Sequence, residues 1–134
     1  MSEITPSEFS RLSEFRYRLR IYLRRSEEIC KSYGVTSLQY QLLLHTKSFE
    51  ARKWATVGEL SEKLQAKHHG TVMLVDRCEA LGLVTRVRSK SDKRKIEVHL
   101  TAKGEALAQR IAFEHRPELK QLKEGIVFPD WSQN

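Results

Sequence analysis

Between residues 85 and 95 the chain sets Arg86, Arg88, Lys90, Lys93, Arg94 and Lys95 around a single acid, Asp92. Six cations against one anion suit a polyanion, because every phosphate met by Lys or Arg releases condensed counterions. A second run, Arg11, Arg16, Arg18, Arg20, Arg24 and Arg25 against Glu14, carries the same local excess of +5. The 134-residue chain is only +7 in total, so the remainder sums to −3 and the charge is polarised. A charge run on a helix can equally be a solvated face. The 85–95 run instead falls at a turn between two strands, where its cations project.

Other chemistries find less support. There is no phosphate-binding or dinucleotide-type glycine loop, no His-Glu-x-x-His and no serine flanked by the glycines of a nucleophile elbow. Cys30, His45 and His115 offer no close-spaced ligand pair for zinc. No enzyme activity, cofactor or metal is therefore expected.

With 40% hydrophobic and 31% charged residues the chain reads as one ordinary globular domain over 1–134. No apolar run approaches the ~20 residues of a membrane helix, and the opening MSEITPSEF lacks the order of a secretory signal. Two distant cysteines fit a reducing, cytoplasmic setting.

The elements that must hold the charged turn are well marked. Thr5-Pro6-Ser7-Glu8 starts a helix, and Leu12, Phe15, Leu19, Tyr22, Ser26, Ile29 and Tyr33 recur at helical steps until Gly34. A helix of about 28 residues spans roughly 42 Å, longer than so small a globule is wide, so it is expected to pack against another subunit. Thr36-Ser37-Leu38-Gln39 opens a second helix, with a polar loop near 48–53. Thr56-Val57-Gly58-Glu59 is a capping box for a third, lined by Val57, Leu60 and Leu64. After Gln65-Ala66-Lys67 a fourth runs to about Leu81 with Thr71, Leu74, Val75 and Cys78 on its core face. Two strands, Leu83–Arg88 and Lys95–Leu100, form a hairpin; Ile96, Val98 and Leu100 alternate with polar neighbours. Thr101 caps a fifth helix that Pro117 interrupts or kinks. The apolar tail of Leu119, Leu122, Ile126, Phe128 and Trp131 is expected to lie at a subunit boundary.

Helix, helix, short break, helix, basic hairpin, helix is the order of a winged helix-turn-helix. Thr56–Leu64 looks like the motif's first helix, and Val72–Val84, with Leu74-Val75-Asp76-Arg77 and Gly82-Leu83-Val84, like its recognition helix. Ser91-Asp92-Lys93-Arg94 and Leu100-Thr101-Ala102-Lys103-Gly104 resemble the Asp-x-Arg wing and Leu-Thr-x-x-Gly helix start of the MarR family of bacterial transcriptional regulators. The similarity covers roughly residues 5–115. It implies a mainly α winged-helix fold that dimerises through its N- and C-terminal helices (about 5–34 and 102–134) and carries a DNA-binding lobe (about 54–100). It further implies a homodimer on a pseudo-palindromic operator in double-stranded DNA, the recognition helix in the major groove and the wing in the minor groove. A repressor released by a small-molecule effector is the expected function; the alternative is a winged-helix protein-interaction module that has lost specific operator recognition. The turn before the family's recognition helix usually carries Gly, then Ser or Asn, where this chain has Gln65 and Lys67.

Lys67, His68, His69, Met73 and Arg77 on the fourth helix, and Arg86, Arg88, Lys90, Asp92, Lys93, Arg94 and Lys95 on the wing, are the candidate DNA-contacting residues. Arg77 can meet phosphate or a guanine edge, or pair with Asp76 or Glu79. Met73 can meet a thymine methyl or be buried against the wing. The His68–His69 pair can reach bases and phosphates or be an exposed helix cap. Arg94 is expected in the minor groove, oriented by Asp92. Some family members sense oxidants through a first-helix cysteine near tyrosines, and Cys30 lies three residues before Tyr33. Core filling is nevertheless the simpler reading for Cys30, as it is for Cys78.

Overall fold

The computed structural model describes residues 3–131. Six helices and three short strands follow in the order α1 (Pro6–Ser32), α2 (Ser37–Lys47), β1 (Trp54–Thr56), α3 (Val57–Leu64), α4 (His68–Ala80), β2 (Val84–Arg88), β3 (Ile96–Leu100), α5 (Ala102–Glu114) and α6 (Arg116–Gly125). Threonine starts four of the helices: the Thr5, Thr36, Thr56 and Thr101 hydroxyls each accept from a backbone N–H three residues on. At Thr36 and Thr56 the partner side chains of Gln39 and Glu59 reach back to the cap N–H, completing both capping boxes. Gly34 and Gly82, at φ +78° and +74°, turn the chain out of α1 and α4 in a conformation that glycine adopts without strain.

The sheet has one strand more than the hairpin expected from the sequence. β1 pairs antiparallel with β3, Ala55 opposite Val98, and β2 lies on the other side of β3, Arg86 opposite Val98. Trp-Ala-Thr is too short to show a period of two; its pairing with β3 makes it a strand. α2 is the central element, touching α1, α3, α4, α5 and the sheet. Its Leu42 and Leu43 join Leu60, Val75, Cys78, Leu83, Val84, Val98 and Ile111 in one fully buried core. α5 approaches the end of α4 closely at Gly104, where a Cβ would overlap the Leu83 carbonyl oxygen and lie 3.0 Å from its carbon.

The fifth helix is broken rather than bent. α5 stops at Glu114, His115 is the joint, and Pro117 sits in the first turn of α6, where its missing N–H costs nothing. The tail folds back along α1 without being buried there, and Phe128 and Trp131 stay 65% and 46% exposed. Phe128 lies against Phe15 of α1 with ring centroids 5.3 Å apart, and the Trp131 indole N–H donates to Glu8 at 2.8 Å. Residues 132–134 of the expected C-terminal segment lie outside the described residues. Along the outside of α1, α5, α6 and the tail, Phe9, Tyr17, Leu23, Phe113, Leu119 and Val127 stay exposed. α1 itself spans about 40 Å.

Candidate nucleic-acid interface

The α3–α4 turn sets how α4 is presented. Arg52 clamps the start of α3: it ion-pairs with Glu59, and its guanidinium lies 4.3 Å from the ring centres of both Phe49 and Trp54. Burial alone would raise the Glu59 carboxyl, but hydrogen bonds from Thr56 and Arg52 outweigh it and hold it down. At the end of α3, Gln65 takes the left-handed conformation (φ +51°) usual for glycine, and its amide donates to the Glu62 carbonyl at 2.8 Å. Lys67 then occupies the N-cap of α4 without a side-chain cap bond. Both replacements preserve the turn; each gives up local stability that Gly or Ser would supply. Ser61 and Thr71 join the two helices through a 2.9 Å hydroxyl hydrogen bond.

α4 buries Thr71, Val75 and Cys78, while Lys67, His68, His69, Gly70, Met73, Asp76 and Arg77 are exposed along its outer side. Met73 is not covered by the wing: it is 43% exposed and lines a shallow trough with Leu38, Leu64 and Arg77. Arg77 makes no ion pair among the described residues. Asp76 and Glu79, its expected partners, are both taken by Arg86.

The wing tip is built around Asp92. Its carboxylate accepts from the Arg94 backbone N–H and Nε, each at 3.1 Å, and from Nη2 at 3.3 Å. Those bonds hold the Asp92 carboxyl below its ordinary value. Below it, the buried Ser89 hydroxyl accepts from the Asp92 N–H and meets Ser91 Oγ at 3.1 Å, while Arg88 donates to the Lys93 carbonyl at 2.9 Å. The Arg94 side chain is still 90% exposed, so it is oriented without being covered. Lys90, Lys93 and Lys95 are exposed beside it.

His68 and Val72 of α4, and Arg86, Arg94, Lys95 and Ile96 of the hairpin, line one open cleft of about 390 Å³. The wing thus presents Arg94 and Lys95 beside the first turns of α4, while Arg77 lies in the separate trough with Met73. Arg86 departs from its companions, because its guanidinium turns onto the α4 carboxylates rather than outward. Asp76 and Glu79 are functional candidates that charge counting on the helix alone passed over. Their i, i+3 spacing puts both on one side of α4, but nothing local in the sequence says that a hairpin arginine meets them there.

The remaining candidates are packing residues. Cys30 and Cys78 are fully buried, and desolvation pushes both thiols up, Cys78 to about 11. Thiolate is the reactive form, so this disfavours oxidant chemistry at either. His115, buried at the α5–α6 joint, has both ring nitrogens occupied: Nε2 lies 2.7 Å from Ser26 Oγ and Nδ1 2.8 Å from the Ile111 carbonyl. Its ring stacks on Tyr40 at 5.0 Å. Cys30, His45 and His115 do not converge, and no metal-binding group occurs among the described residues.

A family model described as MarR family matches residues 33–95, the span from the end of α1 through the wing. The chain is 28% identical over 118 residues to YsmB, an uncharacterised HTH-type transcriptional regulator of Bacillus subtilis, covering 84% of this chain and 75% of YsmB. Over residues 33–95 the chain matches the MarR family. A solved MarR family protein from Bacillus stearothermophilus superposes with TM-score 0.76 at 28% identity, covering 93% of this chain and 86% of that one. A cysteine-to-serine mutant of MarR from E. coli, solved in complex with operator DNA, superposes with TM-score 0.71 at 20% identity, covering 94% and 89%. Within this fold the cleft described above lies between α4 and the hairpin.

Proposed function

We propose that this chain is a sequence-specific, double-stranded-DNA-binding transcriptional regulator that acts as a homodimeric repressor on a pseudo-palindromic operator. The observation that carries the reading is the pair of available cations on α4 and the wing: Arg77 is exposed and unpaired among the described residues, and Arg94 is oriented yet exposed. Arg77, Met73, His68 and His69 face the major groove; Arg94 enters the minor groove, and Lys67, Arg88, Lys90, Lys93 and Lys95 meet phosphates. E. coli MarR, solved on operator DNA, supports this docking through its shared fold. The long α1 and the exposed apolar side chains on α1, α5 and the tail support a dimer, which occupies two half-sites about 34–36 Å apart. Occupation of the operator blocks transcription, and a small-molecule effector releases it.

Affinity for a labelled duplex, measured against salt, tests the reading. It should fall steeply, with a log–log slope near −0.9 per phosphate contact, and Arg94→Ala should weaken it. Weak binding that ignores salt would return the surface to the protein-interaction reading. Sedimentation should give about twice the 15.6 kDa chain mass.

A further inference from the structure

We infer that Arg86 serves the interface without touching DNA: it offsets two carboxylates on the recognition helix and ties that helix to the wing. The inference rests on the DNA-binding reading above and assigns a positioning role within it. Arg86 Nη2 ion-pairs with Asp76, and Nε lies 3.7 Å from Glu79 Oε1. The Nε atom is wholly buried. Glu79 Oε2 also accepts the Arg86 backbone N–H at 3.2 Å. β2 is an edge strand, since the sheet order is β1-β3-β2, so that N–H points away from the sheet and finds its acceptor on α4. One residue of the wing is thus fastened to the recognition helix by main chain and side chain together.

The arrangement answers an electrostatic problem. Asp76 and Glu79 flank Arg77 on the helix that must approach a polyanion, and both are about half exposed. Left alone, two such charges repel phosphates. Arg86 leaves the group at −1 instead of −2. It draws the carboxylates toward the hairpin and fixes the angle between helix and wing. Arg77 is freed for DNA because Arg86 has taken its partners.

The test is a mutant cycle on duplex affinity at ~150 mM salt, with a salt titration of each variant. Arg86→Gln should weaken binding about tenfold while the salt slope changes by less than half a unit. Adding Asp76→Asn and Glu79→Gln should restore affinity to within about threefold of wild type. The same Asp76→Asn/Glu79→Gln pair in the presence of Arg86 should change affinity less than threefold. A slope reduced by about one unit, with no recovery in the triple variant, would mean that Arg86 contacts phosphate and would overturn the inference. So would equal effects of the carboxylate pair in both backgrounds. A wild-type protein that bound no duplex would defeat the DNA reading instead. The tie would then be judged by amide hydrogen exchange over residues 84–88, which Arg86→Gln should accelerate; unchanged exchange would overturn it.

Discussion

Removing an acid from a DNA-binding wing should, by charge counting, tighten binding; at Asp92 the structure calls for the opposite. A unit charge about 8 Å from a phosphate changes affinity by no more than about twofold in water, and less at physiological ionic strength. Against this stands the ordering of Arg94, whose side chain is 90% exposed and takes its direction from three hydrogen bonds to one carboxylate. Immobilising a free long side chain on binding costs about 0.5–1.5 kcal/mol, or roughly 2- to 13-fold in affinity. Ordering outweighs charge. Asp92→Ala should therefore weaken binding to a chosen duplex about two- to fivefold, measured by fluorescence anisotropy. Arg94→Ala should cost about 5- to 150-fold, as expected for loss of a groove-reading arginine, with little change in melting temperature. Lys90→Ala, a phosphate contact alone, should cost less and lower the salt slope by about one. Tighter binding by Asp92→Ala, with Arg94→Ala no worse than Lys90→Ala, would overturn the orienting role of Asp92 and leave the wing an unstructured patch of charge.

Three further outcomes follow from the packing. Gly104→Ala should lower stability by about 1–3 kcal/mol or more in urea titration, because the new methyl overlaps the Leu83 carbonyl and main chain must move. Lys67→Ser should raise the melting temperature by roughly 2–5 °C, by supplying the cap that α4 lacks. Burial raises the Cys78 thiol from 9.0 to about 11, so its contribution to stability is full below pH ~9 and is lost as pH climbs toward 11. Urea midpoints at pH 8 and pH 10 should differ more in wild type than in Cys78→Ala, and native protein at pH 8 should resist thiol alkylation at both cysteines.

Much of this fold was legible because it is written in local signals. Threonine caps and glycine stops place the helix ends within a residue or two, and the alternation of Ile96, Val98 and Leu100 marks β3. β1 was not legible, since three residues carry no period and become a strand only beside β3. The tail illustrates the same limit. Its apolar residues announce burial, but the choice between a partner and its own α1 depends on how α6 folds back. At the site, Asp92 with Arg94 could be read from two-residue spacing. The Arg86 network could not, because it joins a helix to a strand ten residues away and turns a basic side chain from the outer surface onto the helix. A cation's neighbours in space, which charge runs do not record, decide whether it is free for a ligand.

If α4 and the wing read double-stranded DNA as a two-fold pair, the operator itself must carry that symmetry. Fragments bound by the purified protein from a random duplex pool, once sequenced, reveal whether it does. The expected result is enrichment of an inverted repeat with half-site centres about one helical turn apart, and with A·T-rich steps where each wing reaches the minor groove. A bound pool that stays random in sequence at physiological salt, or that enriches a single unpaired half-site, would contradict two-fold readout.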